Sequence, residues 1–101
     1  MSKQIIIPFQ SKWYDKVLNG KKTCTSRTKK YGNPEDWFEQ FGSTFRLLSV
    51  NKFTLEYIAN NLYKEEGCSS PDEFKKIWVA LHPRKGWVPE QVVFAHFFRR
   101  I

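Results

Sequence analysis

Three side chains of this chain have the chemistry to act together on a carbonyl group: Lys22, Thr25 and Glu66. A threonine hydroxyl attacks a carbonyl carbon only when a neighbouring base takes its proton. A lysine amine acts as that base when cations and burial disfavour its charged form, and Lys21 and Arg27 supply the cations. A carboxylate such as that of Glu66 orients the amine or carries a proton. The planar guanidinium of Arg27 suits a carbonyl, a carboxylate or a phosphate.

The spacing of these residues constrains where Lys22 can lie. In a regular strand Thr25 faces the same side as Thr23 and Arg27, whereas Lys22 faces the opposite side. Lys22 must therefore lie in the turn before the strand, where Gly20 lets the chain bend. A Lys-Lys-Thr run is also the composition of an ordinary solvated turn. The spacing alone therefore supports both a catalytic and a purely structural interpretation.

Hydrophobic and turn patterns predict the elements that would position these residues. Apolar and β-branched runs predict strands over residues 4–7, 23–28, 44–53 and 92–98. Helical spacing predicts helices over residues 11–18, 54–63 and 71–81. The long connection over residues 29–43 is predicted to be a packed loop, with a short helical turn at residues 34–36. Strands mixed with clustered helices indicate one α+β domain over residues 1–101, built around a curled sheet.

Capping signals mark the start of the second and third helices. Thr54 is an N-cap residue type, and Ser70-Pro71-Asp72-Glu73 has capping-box spacing with proline at the first helical position. The apolar stripe of the helix that follows is assigned to the hydrophobic core: Phe74, Ile77, Trp78 and Leu81. His82 is interpreted as the end of that helix. His96, inside the last strand, is interpreted as a histidine whose ring nitrogens are satisfied within the fold.

The positive charge of the chain is concentrated in its first third. Residues 1–30 contain eight lysine and arginine residues and one acid, whereas residues 31–101 contain nine of each, so the formal net charge of +7 belongs to the first segment. A contiguous basic segment favours a polyanionic partner such as RNA, because lysine and arginine release counterions from phosphates. Four residues of this segment are predicted to contact such a partner: Lys21, Arg27, Lys29 and Lys30. Trp87, which follows two cations, is predicted to stack on a base. The alternative is a scattered, solvated basic surface.

Several classes of protein and site are not indicated. Cys24 and Cys68 are too few for a disulfide framework and lack metal-ligand spacing, so both are predicted to be reduced thiols. The two histidines are far apart in sequence, and neither a metal site nor a cofactor site is expected. The apolar runs fall well short of the roughly 18 residues that span a bilayer. We therefore expect a soluble, cytoplasmic protein without a membrane partner.

The order of motifs resembles the ASCH family, the activating-signal-cointegrator homology domains. The first half of the family signature is similar to Gly20-Lys21-Lys22-Thr23 and to the Thr25-Ser26-Arg27 segment that follows. The second half is similar to residues 63–67, 70–74 and 81–83, which read YKEEG, SPDEF and LHP. The likeness covers essentially the whole chain. It implies an α+β PUA-like fold, a small curled β-barrel with flanking helices, and a nucleic-acid-facing cleft beside the G-K-K-T segment.

The resemblance also implies more than one activity. Small members similar to this chain are amidohydrolases that remove acetate from N4-acetylcytidine with a lysine, a threonine and a glutamate. Those roles fall here on Lys22, Thr25 and Glu66, and the adjacent Glu65 leaves the choice of carboxylate open. A non-catalytic RNA-binding module is the alternative. A metal-dependent single-strand ribonuclease ranks third, because no histidine pair or metal cluster is evident. The expected partner is RNA or a modified nucleoside.

Overall fold

A four-stranded antiparallel sheet organises the computed structural model, which describes residues 2–101. Its strands are β1 (Cys24–Arg27), β2 (Trp37–Gln40), β3 (Ser43–Thr54) and β4 (Val92–Arg100), in the spatial order β1-β4-β3-β2. The nearly continuous apolar sequence of β4 suits its place between two other strands. The sheet curls into a half-barrel, and the predicted α+β PUA-like architecture is confirmed.

Three α-helices accompany the sheet: α1 (Tyr14–Leu18), α2 (Leu55–Asn61) and α3 (Pro71–Leu81). The first predicted helix is shorter than expected, because Ser11–Trp13 form a 3-10 turn before α1. The two predicted N-caps are confirmed. Thr54 Oγ1 accepts a hydrogen bond from Tyr57 N at 3.1 Å, and Ser70 Oγ accepts one from Glu73 N at 3.1 Å. These caps fix where α2 and α3 begin.

Aromatic rings form the centre of the core. Phe38, Phe45 and Phe98 come from β2, β3 and β4 and are almost completely buried. Their ring centroids are 5.3, 5.6 and 5.7 Å apart, in stacked and edge-on arrangements. Burial of each ring contributes on the order of 2 kcal/mol to folding. Three neighbouring strands are therefore held together by side chains as well as by their hydrogen bonds.

The predicted loop over residues 29–43 was wrong in part, because it contains β2. This strand pairs with β3 through a two-residue turn, Phe41-Gly42, since Gln40 faces Ser43. Both turn residues have positive φ, 53° at Phe41 and 76° at Gly42. Such a turn usually carries Asn or Gly at its first position, so a phenylalanine there hides the hairpin from the sequence. The predicted helical turn at residues 34–36 is a simple turn at Pro34 and Glu35.

The predicted strand over residues 4–7 was also wrong. The segment makes one isolated parallel bridge, between Gln4 and Trp37. Ile5 and Ile7 are buried while Ile6 is 80% exposed, so the alternation of an extended chain is present without a ladder. Strand pairing cannot continue, because Pro8 has no backbone N–H to donate.

A β-bulge changes which residues of β3 face inward. The pairing with β4 shifts between Leu47 and Ser49, and the extra residue, Leu48, is 48% exposed. The alternation of buried and more exposed residues along β3 therefore holds through Leu47 and is interrupted there. A bulge of this kind bends the strand and increases the local twist, which suits a curled sheet.

No helix within residues 2–101 is long and apolar enough to cross a membrane.

Candidate functional site

A cleft of about 430 Å³ lies beside β1 and α3. One part of its lining, the polar wall, consists of Lys22, Thr25, Ser26, Arg27 and Glu66. A second part, the helix wall, consists of Phe74, Ile77, Trp78, Leu81 and His82. The rings of Phe9, Trp13 and Tyr31 also line the cleft. The residues that the sequence singled out for carbonyl chemistry therefore share one cavity with several aromatic rings.

The Glu66 carboxylate is buried and has a partner at each oxygen. Oε1 lies 3.2 Å from Lys22 Nζ, in an ion pair whose side chains are 3% and 5% exposed. Oε2 accepts a short hydrogen bond from the Ser26 hydroxyl and lies 3.5 Å from the Cys24 sulfur. The structure thus brings Lys22 and Glu66 together and places the carboxylate of Glu66, not that of Glu65, in the cleft.

The Lys22 side chain is held by three contacts. Its Nζ donates to the Glu66 carboxylate and also to the Glu66 backbone carbonyl at 2.8 Å. The same nitrogen lies 4.4 Å from the centroid of the Trp13 ring, within range of a cation–π interaction. Lys22 therefore acts as a hydrogen-bond donor in this arrangement.

Backbone hydrogen bonds bring the Glu66 segment to the start of β1. Thr23 N and Cys24 N both donate to the Glu65 carbonyl, at 2.8 and 3.0 Å. Glu65 therefore serves the site through its main chain, while its side chain is only partly buried. These bonds place the next residue, Glu66, with its carboxylate beside Lys22 Nζ.

Gly67 allows this close approach. Its φ is +88°, a conformation that side-chain-bearing residues rarely adopt. A Cβ at this position would lie 3.0 Å from the Trp13 ring and 3.1 Å from Lys22 Cβ. The Gly67 carbonyl also accepts a hydrogen bond from Lys16 Nζ. The Glu-Gly pair of the sequence thus has a physical reason: the glycine makes room for the carboxylate's neighbours.

Thr25 has a different partner from the one that the sequence suggested. Its Oγ1 accepts a hydrogen bond from Arg27 Nε at 3.0 Å. The Arg27 guanidinium lies 5.2 Å from the Phe9 ring centroid and 5.7 Å from that of Tyr31. Burial lowers the pKa of this guanidinium below its ordinary value, and Tyr31 opposes the shift. Lys22 and Thr25 line the same cleft, but within residues 2–101 no hydrogen bond joins them.

His96 supports the polar wall from β4. Its Nδ1 lies 3.1 Å from the Thr25 carbonyl, and its Nε2 accepts a hydrogen bond from Tyr31 N at 3.0 Å. A nitrogen that accepts carries no proton, so the ring is the neutral tautomer with its proton on Nδ1. Burial lowers the pKa of His96. The prediction of a histidine satisfied within the fold is confirmed.

Neither thiol near the site is a nucleophile at neutral pH. Burial, with the Glu66 charge second, raises the pKa of Cys24 far above its ordinary value, and burial raises that of Cys68 to about 11. A thiol attacks only as its thiolate. Both cysteines are free and buried. Among the described residues, no three His, Cys, Asp or Glu side chains are grouped as metal ligands would be.

The helix wall corrects the assignment of the α3 stripe to the core alone. Phe74 and Trp78 are buried in the core, but Leu81 is 49% exposed and, with Ile77, lines the cleft. His82 is the C-cap of α3, as predicted, and it lines the cleft too. Its ring stacks on Trp78 with centroids 4.1 Å apart. Periodicity places residues on one helix face, and it does not say whether that face meets the core or a cavity.

The residues predicted to contact a polyanion fall into three groups, and the first is Arg27, which lies in the polar wall of the cleft. Lys21, Lys29 and Lys30 are exposed, and Lys29 Nζ lies 5.1 Å from the centroid of the cleft ring of Tyr31. Trp87 is half-buried and packs edge-on against Phe74, with centroids 6.3 Å apart. Trp87 is not part of the cleft lining.

Sequence reasoning missed Ser26 and Trp13 as site residues. Ser26 follows Thr25, and strand alternation would place it on the opposite face, yet both line the cleft. Its only sequence signal was a second hydroxyl within the Thr-Ser-Arg segment. Trp13 lies within the predicted helix over residues 11–18, and its contact with Lys22 depends on tertiary folding that the local sequence pattern does not contain.

Comparison with solved structures shows that the chain has an ASCH-like fold. The ASCH domain from Lactobacillus crispatus JV V101 aligns with a TM-score of 0.76 at 10% identity, over 98% of this chain and 79% of that one. The hypothetical protein PH0355 aligns with a TM-score of 0.73 at 16% identity, over 100% of both chains. Protein PF0455 from Pyrococcus furiosus aligns with a TM-score of 0.66 at 14% identity, over 99% and 96%. No protein-family model and no curated protein matches the sequence.

Proposed function

We propose that this ASCH-like chain hydrolyses the amide of a small acylated nucleobase, with N4-acetylcytidine as the type of substrate. The observation that carries the proposal is the buried Lys22–Glu66 ion pair, which lines an open cleft together with two hydroxyls and a guanidinium. Aromatic rings in the same cleft offer stacking surfaces for a planar base.

Stability alone does not account for this ion pair. Removing two charges from water costs several kcal/mol per ion, and a buried pair often contributes less to folding than apolar residues of the same size. Lys22 and Glu66 are nearly inaccessible, yet they border a cavity that water and a ligand can enter. Charges kept at such a place serve chemistry or binding more readily than folding.

Each polar residue has a role that fits its contacts. A hydroxyl of β1 attacks the amide carbonyl carbon, Glu66 takes the hydroxyl proton, and the Lys22 ammonium stabilises the negative charge that develops nearby. The carbon–nitrogen bond then breaks, the departing amine receives a proton, and water releases the acyl group as a carboxylate. The motif match assigns the attack to Thr25, and Ser26 is the second hydroxyl at the cleft. Arg27 holds a carbonyl or phosphate oxygen of the substrate.

The adjacent lysines provide a matched test. Lys22→Met removes the ammonium from the cleft, whereas Lys21→Met removes an exposed one. We expect purified wild-type protein and the Lys21 variant to convert N4-acetylcytidine to cytidine and acetate, and the Lys22 variant to lose at least about 100-fold in kcat. Liquid chromatography of cytidine measures the rate. Absence of turnover by the wild type, or equal rates for the two variants, would refute the proposal.

RNA binding is a second candidate, supported by the exposed positive charge of residues 1–30. Five of the eight basic residues in the first segment are exposed: Lys3, Lys12, Lys21, Lys29 and Lys30. Lys12 Nζ lies 5.4 Å from the Trp13 centroid and Lys29 Nζ 5.1 Å from that of Tyr31, so two of them lie beside cleft rings. A free nucleoside does not need these charges, whereas a phosphate backbone does.

A salt titration tests the second candidate. We expect the affinity for a fluorescent single-stranded RNA to fall linearly on a log–log plot, with a slope of about −0.7 per phosphate neutralised. Lys12→Gln combined with Lys29→Gln should flatten that slope by about 1.4, and the matched double variant at the exposed Lys64 and Lys85 should leave it unchanged. No binding at low salt would exclude this function and leave the hydrolase proposal standing.

A further inference from the structure

Thr25 and Ser26 are adjacent in β1 and both line the cleft, but their hydroxyls have different hydrogen-bond partners. The Ser26 hydroxyl donates its proton toward Glu66 Oε2. The Thr25 oxygen instead accepts from Arg27 Nε at 3.0 Å, and no hydrogen bond in residues 2–101 directs its proton to a base. An activated nucleophile is recognised by a base within hydrogen-bond reach, which is itself oriented by a third group. Ser26, Glu66 and Lys22 form such a chain.

We propose that Ser26, not Thr25, is the nucleophile of this site, with Glu66 as its base and Lys22 as the group that orients Glu66. The assignment rests on the proposed amide hydrolysis. It departs from the motif match, which places the attack on Thr25.

The shapes of the two side chains favour the same hydroxyl. A serine hydroxyl is on an unbranched carbon, whereas the threonine carbon carries a methyl group that restricts its rotation and the approach of a carbonyl. The Thr25 oxygen has one lone pair engaged by a guanidinium, which makes it a weaker nucleophile.

The covalent step balances with these residues alone. Ser26 Oγ forms a bond to the acyl carbon while its proton passes to Glu66 Oε2. The tetrahedral intermediate collapses, the carbon–nitrogen bond breaks, and the proton from Glu66 goes to the departing amine. Water then attacks the Ser26 ester, gives one proton to Glu66, and releases the carboxylic acid; the serine oxygen regains that proton. Nothing is oxidised or reduced.

Thr25 has a different part in this arrangement. Its oxygen holds Arg27 Nε, and the Arg27 guanidinium lies over the Phe9 ring at 5.2 Å. Its backbone carbonyl faces His96 Nδ1 at 3.1 Å. Thr25 is therefore a positioning residue that keeps Arg27 directed into the cleft. Its loss should weaken substrate binding more than the chemical step.

Covalent labelling tests the nucleophile without relying on turnover. The protein is incubated with a fluorophosphonate, from which an activated hydroxyl displaces fluoride, and the modified peptide is located by mass spectrometry. We expect the label on Ser26, with no label in Ser26→Ala or in Glu66→Gln, and with labelling retained in Thr25→Val. Label on Thr25, or no label on the wild type, would overturn the assignment. Circular dichroism confirms that each variant is folded.

Kinetics with N4-acetylcytidine separate this assignment from the proposed function. We expect Ser26→Ala to lose at least about 100-fold in kcat, and Thr25→Val to raise KM with a smaller change in kcat. A wild type that hydrolyses the substrate while Ser26→Ala retains its kcat would overturn the nucleophile and keep the function. A wild type that is labelled on Ser26 but hydrolyses nothing would overturn the function and keep the activated serine.

Discussion

The two walls of the cleft differ in how many contacts their side chains already make within the protein. On the polar wall, the Glu66 carboxylate has contacts at both oxygens, and Lys22 donates one hydrogen bond to that carboxylate and one to the Glu66 backbone carbonyl. On the helix wall, Leu81 remains 49% exposed, and His82 uses one ring nitrogen on the Trp78 carbonyl at 3.0 Å. The polar wall is thus fixed before any ligand arrives. The helix wall keeps apolar surface free for whatever enters.

This contrast assigns different tasks to the two walls. Preorganised charges are effective in catalysis because they need not rearrange as the reaction proceeds. Uncommitted apolar surface contributes binding free energy through its burial by the ligand. We therefore expect changes at Lys22, Ser26 and Glu66 of the polar wall to alter kcat, and changes in the helix wall to alter KM.

Loss of the Glu66 charge should reduce kcat more than any other change to the cleft. Glu66→Gln removes the acceptor that Ser26 and Lys22 share, and we expect kcat for N4-acetylcytidine to fall by about 100- to 10 000-fold. The adjacent Glu65→Gln is the matched control and should keep the parent rate, because Glu65 contacts β1 through its backbone. Steady-state kinetics measure both. Equal losses in the two variants would contradict the distinct role of Glu66.

Gly67→Ala tests whether the polar wall depends on close packing behind Glu66. The new Cβ would meet the Trp13 ring at 3.0 Å and Lys22 Cβ at 3.1 Å. We expect a loss of about 1–3 kcal/mol in unfolding free energy, together with lower kcat. Gly86→Ala shares the positive φ but has nothing within 4 Å, so it should lose less and keep its activity. Urea denaturation compares the two, and equal losses would show that only the backbone conformation matters.

The support of the polar wall by His96 predicts a pH dependence of stability. Burial keeps the pKa of His96 below its ordinary value of 6.5, so the folded chain binds fewer protons than the unfolded chain once the pH falls below that value. Stability therefore falls as the pH drops from about 6.5 toward the lower pKa of the folded state, by at most about 1.4 kcal/mol per pH unit for one group, and this contribution levels off below that pKa.

Unfolding in urea between pH 7.5 and pH 5 (roughly the span in which histidines titrate) measures this slope. His96→Asn should remove most of it, because the substitution removes the buried imidazole that faces the Thr25 carbonyl and Tyr31 N. A wild-type protein whose stability does not change over this pH range would contradict the claim that His96 is neutral and hydrogen-bonded in the folded state.

The helix wall should show the smallest effects. Leu81→Ser removes exposed apolar surface at the cleft, and we expect KM to rise by about 3- to 10-fold with kcat and stability nearly unchanged. Leu48→Ser is the matched control, because Leu48 is 48% exposed and lies outside the cleft lining. A fall in kcat for Leu81→Ser would contradict the assignment of substrate binding to the helix wall and catalysis to the polar wall.

The polar wall could be predicted from sequence further than the helix wall. Lys22, Thr25, Arg27 and Glu66 stand at motif positions, and all four line one cleft. Their pairing could not be predicted, because the hydrogen bond between Ser26 and Glu66 joins residues 40 positions apart and depends on the turn at Gly67. Local patterns carry no information about such contacts.

Failures in the fold have equally local causes. The hairpin that contains β2 turns on Phe41, a residue without the usual turn signal, and a bulge at Leu48 breaks the alternation of β3. The caps at Thr54 and Ser70 were predictable because each bonds within its own first turn. On the helix wall, the stripe of α3 was correctly placed on one face and wrongly assigned to the core alone.

The most direct test of the central claim is the release of acetate from N4-acetylcytidine by the wild-type protein in water labelled with heavy oxygen. Hydrolysis through the polar wall should yield cytidine and acetate in equal amounts, with one labelled oxygen in each acetate. Mass spectrometry of the acetate and chromatography of the cytidine measure both products. No acetate above the protein-free control, or the same yield from Glu66→Gln as from the wild type, would contradict the account.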